Sequence, residues 1–556
     1  MQKITILPFL LLSLSIFAQA PQWQWARNYE LFFNSGRQYS ALDPEGNIYL
    51  AGDFSSATLQ AGDVSLTNEG TDTADIYIIK LDQQGDVLWA RSFGGNDHDS
   101  LISFATDPQG NLYLSGTYTY AITLGSETLT NIGLSNFFVK LSPDGDALWA
   151  KTHNNNNALQ WESQDIAADA LGNVYIAGAY VGQSLTFDNV SVAFDNANDS
   201  SGHCFVGKFD AQGNCIWLRG AQSDSPHFMG STARSLTIDS QGNVYVAGRF
   251  GNENIDFGPV TLTKTSTAQW NANLFIVKYD ADGAVQWAQR SGSAFENVTD
   301  ATALVTTADD HILLSGYFNH TIQIGDIAID AGASSSTFVA KLDPSGNAVW
   351  ALPVTASNCA TAHNSIDADA NGNIYVSGFT NCLILGFGAG VTISTAGQGN
   401  LYVVKFDGDG QAVWARQSGN SSPANLSTIN VQSPNEIYVS GTFPTETLTL
   451  GAITLTKSDS NYNMFISKLY SAPLSVNEQA GLVPAIAPVP VRDHFSIQSR
   501  VYPLRFSIAD VLGKVLGTGH VQSATDQIEG GHLEPGVYFI RIDNGTSTFS
   551  QKIIKN

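Results

Sequence analysis

The chain has 556 residues, with 26 Lys+Arg against 50 Asp+Glu and a formal net charge of −24. Hydrophobic residues make up 43% and charged residues 14%, enough to build a large core and too apolar for a disordered acidic tail. No surplus of Lys and Arg is available to neutralise phosphates, so nucleic acid is not an expected partner.

Residues 1–18 read as an export signal. Lys3 supplies the positive start and Ile4 to Phe17 the apolar stretch, which is too short to span a membrane. Ala18-Gln19-Ala20 offers small residues for cleavage. A cut after Ala18 avoids leaving Pro21 at the new N-terminus. No later stretch has the length of apolar sequence that a membrane-spanning helix needs.

Residues 19–470 carry an internal repeat. The first copy joins ALDPEGNIYLAGDF at 41–54 to DIYIIKLDQQGDVLWARSF at 75–93. The glycine closing its second strand recurs at Gly52, Gly116, Gly178, Gly248, Gly316, Gly378 and Gly441. The mean spacing is about 65 residues, longer than a WD40 blade of about 40–45. Each copy predicts four strands. A D-x-x-G turn follows the first, N-[IVL]-Y alternation marks the second, a Lys marks the third and a Trp marks the fourth. The seventh copy stops at Lys468-Leu469-Tyr470, without its Trp strand. Gln22-Trp23-Gln24-Trp25-Ala26-Arg27 fits the missing consensus. Trp25, Trp89, Trp149, Trp217, Trp287, Trp350 and Trp414 then give seven Trp strands for seven third strands. The fold expected is all-β: a closed seven-bladed β-propeller whose N-terminal strand completes the last blade, because closure removes two exposed sheet edges. These copies resemble the repeats of secreted seven-bladed propeller (SBBP-type) proteins over residues 20–475. That resemblance bears on fold rather than activity.

Between second and third strands each copy holds a short apolar hairpin: Leu59–Leu66, Ile122–Leu129, Leu185–Val192, Ile255–Leu262, Ile322–Ile329, Leu383–Ile393 and Leu448–Leu455. Up-and-down alternation puts these links and the blade-to-blade links at one face, and the tight D-x-x-G turns at the other. Any binding site is expected on the loop-bearing face. Its candidate residues are Asp97, His98, Trp161, His227, Phe228, Phe295 and His363, read as loop residues able to stack on and hydrogen-bond an extracellular glycan or protein. Cys359 and Cys382 fall at that face and are expected to form a disulfide. Cys204 and Cys215 fall at opposite ends of a strand pair and are expected to stay unbonded.

Asp367-Ala-Asp369-Ala-Asn371-Gly372 starts like a calcium loop, but Gly378 occupies the twelfth position where a Glu ligand belongs. Neither a metal nor another cofactor is expected, and no catalytic motif is legible. An enzyme acting on polysaccharide could still assemble its acid and base from distant blades, and a structural or adhesive role is a third alternative.

Residues 471–487 read as a Pro/Ala/Val-rich linker, and 488–556 as a small β-sandwich. With seven Lys/Arg against six Asp/Glu over 486–556, that tail is nearly neutral. It carries Pro488-Val-Pro490, Asp510-Val-Leu-Gly513-Lys514, Pro535-Gly536-Val-Tyr538 and Lys552-Ile-Ile-Lys555. These motifs resemble the type A C-terminal sorting domain of the type IX secretion system. The resemblance implies the type IX machinery as a partner and a secreted or outer-membrane-surface location on a gram-negative bacterium.

Overall fold

The computed structural model describes residues 21–30, 38–70, 73–152, 161–194, 202–223, 230–265, 271–292, 299–354, 361–395, 399–419, 425–457, 462–471, 485–487, 490–499, 502–511, 513–544 and 548–555. Every regular element among them is a β-strand. The chain divides between Ser471 and Ala472 into two compact units.

The repeat turns into a sheet through its turn chemistry. Asp43 Oδ1 accepts the Asn47 amide at 2.8 Å and Oδ2 accepts Asn47 Nδ2 at 2.8 Å. Gly46 closes the turn by donating its N–H to the Asp43 carbonyl at 2.9 Å, with φ of 80°. That left-handed conformation favours glycine. The strand that follows, Ile48–Phe54, is buried at every position, which is why its apolar run is nearly continuous.

Seven four-stranded antiparallel sheets of this kind form the larger unit. Sheet 1 comprises Gln38–Leu42, Ile48–Phe54, Asp75–Leu81 and Val87–Phe93. Sheet 2 comprises Ser100–Thr106, Leu112–Leu124, Glu127–Leu141 and Ala147–Thr152. Sheet 3 holds Trp161–Ala168, Val174–Tyr180, His203–Phe209 and Cys215–Gly220; sheet 4 holds Ser231–Ile238, Val244–Phe250, Asn273–Tyr279 and Val285–Ser291. Sheet 5 holds Asp300–Thr306, Ile312–Ile324, Ile327–Leu342 and Ala348–Val354; sheet 6 holds Thr361–Ala368, Ile374–Thr380, Asn400–Phe406 and Ala412–Gln417. Sheet 7 takes Asn425–Ser433, Glu436–Phe443 and Asn463–Tyr470 from the end of the repeat region, and Gln22–Glu30 from its start. The N-terminal strand pairs antiparallel with the third strand of sheet 7, from Gln22↔Tyr470 to Glu30↔Asn463.

Apolar layers fill the spaces between consecutive sheets. Tyr438, Met464 and Ile466 of sheet 7 pack with Leu50, Phe54 and Leu81 of sheet 1. Tyr49, Ala51 and Ile78 of sheet 1 pack with Leu112, Phe137 and Leu141 of sheet 2. First strands of consecutive sheets also touch, including that of sheet 1 against that of sheet 7. Fourth strands are stapled by tryptophan. Trp149, Trp217 and Trp287 donate their indole N–H to Ala211, Ala281 and Pro344, in the second turn of the next sheet, at 3.0, 3.1 and 3.3 Å. The glycine of that turn has a second duty besides its positive φ. A Cβ on Gly85, Gly213 or Gly283 would lie 2.8–2.9 Å from the ring of Trp25, Trp149 or Trp217.

Each hairpin pair forms in register: Leu59↔Leu66, Ile122↔Leu129, Leu185↔Val192, Ile255↔Leu262, Ile322↔Ile329 and Leu448↔Leu455. Within the sixth hairpin, 383–393, the apolar pair is Leu385↔Ile393, and Leu383 is exposed. The hairpins do not crown the loop-bearing face. They fold back between sheets, where Leu59, Leu185, Ile255, Leu385 and Leu448 are fully buried. Their tips reach the start of the fourth strand, so that a Cβ on Gly62 or Gly125 would touch Val87 or Ala147. The hairpins supply apolar side chains to the layers between sheets, and each such side chain stabilises by roughly 1.5–3 kcal/mol.

The smaller unit has a four-stranded sheet, Val515–Val521, Leu504–Asp510, Gly536–Asp543 and Thr548–Lys555 in spatial order, and a three-stranded sheet of Ala485–Ala487, His494–Gln498 and Ile528–Glu529. Phe495 and Ile497 of one sheet share a core with Ile508, Ile540 and Ile553 of the other. Ala485–Ala487 pairs with Ser496–Gln498, so ordered sheet begins inside the segment expected as linker.

Candidate functional site

The repeat's own polar residues are committed to structure. Lys80, Lys140, Lys278 and Lys405 reach Asp43, Asp107, Asp239 and Asp369 at 3.0–4.0 Å. Each lysine also lies over a second-strand tyrosine, as Lys80 does over Tyr49 at 4.9 Å and Lys278 over Tyr245 at 4.8 Å. The calcium-like run is structural as well. Asp367 accepts the amides of Ala368 and Val431, both at 2.8 Å, and Asp369 caps its own turn through Asn371, Asn373 and Tyr375. Burial pushes the Asp367 carboxyl up to about 6.

The residues expected at the loop-bearing face are placed variously. Asp97 is half-buried and His98 exposed in the link from sheet 1 to sheet 2. Asp99, beside them, is fully buried. Trp161 is not a loop residue: its backbone opens the first strand of sheet 3, opposite Tyr180. His363 likewise belongs to the first strand of sheet 6, opposite Gly378. Both departures have one cause, since those strands extend further toward the links than the turn spacing suggests. The side chains of Trp161 and His363, and all of His227, Phe228 and Phe295, lie outside the described residues. Cys382 is disulfide-bonded, while Cys204 and Cys215 are free; Cys359 lies outside the described residues. Desolvation pushes the buried Cys204 thiol up to about 12.

Another constellation runs along the first strands, near their middle. The first strands of sheets 2 to 6 each carry a one-residue bulge, at Ile102, Gln164, Arg234, Thr302 and Asn364. Each bulged residue stands five positions before the first turn residue of its repeat, at Asp107, Asp169, Asp239, Thr307 and Asp369. A bulge re-aims a side chain out of the ladder. Turn, Tyr and Lys positions repeat their chemistry around the molecule, whereas this column holds an aliphatic, two amides, a cation and a hydroxyl.

Arg234 links three consecutive sheets. Its Nη1 donates to Gln164 Oε1, the bulged residue of sheet 3, at 3.3 Å, and its Nε pairs with Asp300 Oδ2 of sheet 5 at 3.2 Å. Arg249 Nη1, on the second strand of sheet 4, reaches the same Asp300 oxygen at 3.4 Å. The Arg234 and Arg249 side chains are 29% and 24% exposed, and Asp300 only 3%. Tyr317, paired across the strand with Asp300, brings a phenol beside Arg249. Below the arginines, Asp165 accepts Ser103 Oγ, Ser235 Oγ and the Leu236 amide, each at 2.9 Å. That carboxylate joins sheets 2, 3 and 4 and is saturated by its donors. The arrangement presents two guanidiniums, an amide and a phenol on a rigid frame, with one buried carboxylate between the cations. It can take an acceptor from outside without rebuilding itself.

Two fully buried carboxylates, Asp75 and Asp99, stand at the junction of sheets 1 and 2. Burial pushes them up to about 6 and about 8, with Asp75 adding to the effect on Asp99. Their burial keeps a substrate away from them. Among the described residues no group of three or more His, Cys, Asp or Glu could hold a metal ion.

In the smaller unit, Asp510 caps a turn by accepting the Lys514 amide at 3.0 Å, and Gly513 closes it with φ of 82°. Tyr538 donates to the Glu534 carbonyl at 2.7 Å, and the Lys555 ammonium reaches Asp493 at 3.3 Å. Pro535, Gly536 and Lys552 lie on or beside the last two strands, and Pro490 is exposed next to the buried Val491. Pro488 lies outside the described residues.

Residues 485–556 match the family of secretion system C-terminal sorting domains. An uncharacterized WD repeat-containing protein of Acanthamoeba polyphaga mimivirus is 23% identical over 435 residues, covering 66% of this chain and 31% of its own length. The chain thus spans about a third of that relative. Among solved structures, YCF48 bound to D1 peptide has a TM-score of 0.36 at 12% identity, covering 82% of this chain and 99% of its own. An ulvan lyase bound to a GlcA–Rha3S oligomer has a TM-score of 0.33 at 10% identity, covering 80% and 90%. PorZ, a surface component of the type IX secretion system of Porphyromonas gingivalis, has a TM-score of 0.20 at 9% identity, covering 95% and 100%. Likenesses this distant carry no functional weight. Among the described residues no helix is long and apolar enough to cross a membrane. The smaller unit is a type IX C-terminal sorting domain, and the chain is a β-propeller protein that is secreted or attached to the surface of a Bacteroidetes cell.

Proposed function

We propose that the seven sheets are the blades of one closed ring, exported after loss of residues 1–18, and that the ring binds an extracellular glycan or protein at its loop-bearing mouth. Closure is supported by the apolar layer between sheets 7 and 1 and by the N-terminal strand completing sheet 7. Binding is supported above all by the bulge column, where position is constant and chemistry varies, with Arg234 at its centre. A scaffold residue would repeat as the turn aspartates do. The test is binding of the full chain to arrays of polysaccharides and glycoproteins. A saturable ligand, weakened at least tenfold by Arg234→Ala with unchanged melting temperature, is the expected result. Saturable binding indifferent to Arg234 and to the other bulged positions would place the site elsewhere.

A further inference from the structure

The chemistry of the mouth narrows the ligand further. Both arginines use one oxygen, Asp300 Oδ2, so neither makes the two-pronged contact that a guanidinium makes with a carboxylate. Between them they carry two charges and ten N–H donors against that single buried carboxylate. The next acid, Asp165, already receives two hydroxyls and two amides. The remaining neighbours, Gln164 and Tyr317, are neutral and suited to hydroxyl groups. A ligand presenting one carboxylate with hydroxyls around it matches this set.

Two observations limit the class. The chain's net charge of −24 opposes a densely charged polyanion, whereas an isolated carboxylate is attracted within about 8 Å before salt screens it. Arg and Tyr serve as hot spots for peptides as well; what favours a sugar is the neutral pair Gln164 and Tyr317 beside the cations, which match hydroxyl groups around one carboxylate. We infer that the Arg234–Arg249 pair is a subsite for the carboxylate of an acidic sugar, such as a uronic acid, carried on an otherwise neutral glycan. This rests on the binding role proposed for the mouth.

The test compares a neutral xylose oligomer bearing a single glucuronate branch with the same oligomer methyl-esterified at that carboxylate, using the full chain. Esterification removes the charge and keeps the sugar. The free acid is expected to bind at least tenfold tighter, to weaken as NaCl rises from 50 to 500 mM, and to lose that advantage in Arg234→Gln and in Arg249→Gln. Arg234→Lys should retain part of it. Equal binding of acid and ester, sensitive to Arg234, would overturn the carboxylate subsite and leave the binding mouth standing. Binding of Asp/Glu-containing peptides in place of both sugars would overturn the sugar class. Binding of none of these probes would overturn the acidic-sugar inference, leaving the broader array to decide the mouth's role. The ester comparison needs no variant, so it decides even if an arginine substitution fails to fold.

Discussion

The junction between sheets 1 and 2 and that between sheets 4 and 5 solve one problem with different chemistry. At the second, Asn273 and Thr299 are fully buried. Asn273 Oδ1 accepts the Thr265 amide at 2.7 Å, while Thr299 Oγ1 accepts the Leu274 amide at 3.0 Å. At the first, Asp75 and Asp99 occupy the matching places. Asp75 accepts the Glu69 amide at 2.8 Å, and the Asp99 amide donates to Ala74 as the Thr299 amide donates to Ala272. A glycine ends the preceding strand in both: a Cβ on Gly94 would lie 2.3 Å from Asp75, and one on Gly292 2.0 Å from Asn273. The backbone is shared and the charge is not. One junction satisfies its donors with neutral groups, and the other carries two acids that burial resists ionising.

The largest effect should come from erasing the difference. Asp75→Asn with Asp99→Thr gives the first junction the residues of the second. Folded-state values of about 6 and about 8 exceed the ordinary 3.8, so the folded protein holds protons that the unfolded chain releases. Stability from these groups is full below about pH 4 and falls as pH rises, levelling off above about 8. The double variant should therefore lose most of the slope between pH 4 and 8 and gain roughly 3–5 kcal/mol at pH 8. Urea titrations across that range measure it, and an unchanged slope would show that the acids do not titrate there. A third junction offers a covalent contrast at Cys382. We expect peptide mapping to find it joined to Cys359, and Cys382→Ser to cost roughly 3 kcal/mol. Gly94→Ala and Gly292→Ala should each cost roughly 2–3 kcal/mol; unequal losses would mean that the two backbones are not equivalent. Thr299→Val should cost about 1–2 kcal/mol by leaving the Leu274 amide unsatisfied, independently of pH.

The fold was more legible than the site because the two write themselves differently into sequence. The Trp and turn-glycine columns recur because each indole packs on the glycine of the next repeat. The N-terminal strand could be assigned from Gln22 to Arg27 alone, because the Trp strand has a consensus to match. Hairpin pairing was readable from apolar alternation; the direction of folding was not, since alternation says which side is buried and not against what. The bulges at Gln164 and Arg234 left no compositional mark, because one extra residue in a short first strand shifts no motif. Only their constant distance from the turn could have exposed them. Asp99 stands in sequence beside Asp97 and His98 and carries no mark of its burial, which depends on Asp75, distant in sequence, and on the close backbone at Gly94 and Gly95.

The pairing of Gln22–Glu30 with Asn463–Tyr470 also fixes an order of events. The first strand of the repeat region to leave the ribosome is the last to find its partner, some 430–450 residues later. At roughly 5–20 residues per second that is about 20–90 s of synthesis. Through that interval the six complete sheets can form in sequence, while a Trp-bearing strand and the open edge of sheet 7 wait for one another. Such a chain has a built-in delay before its final shape, and sheet 7 stays one strand short until synthesis of the repeat region ends.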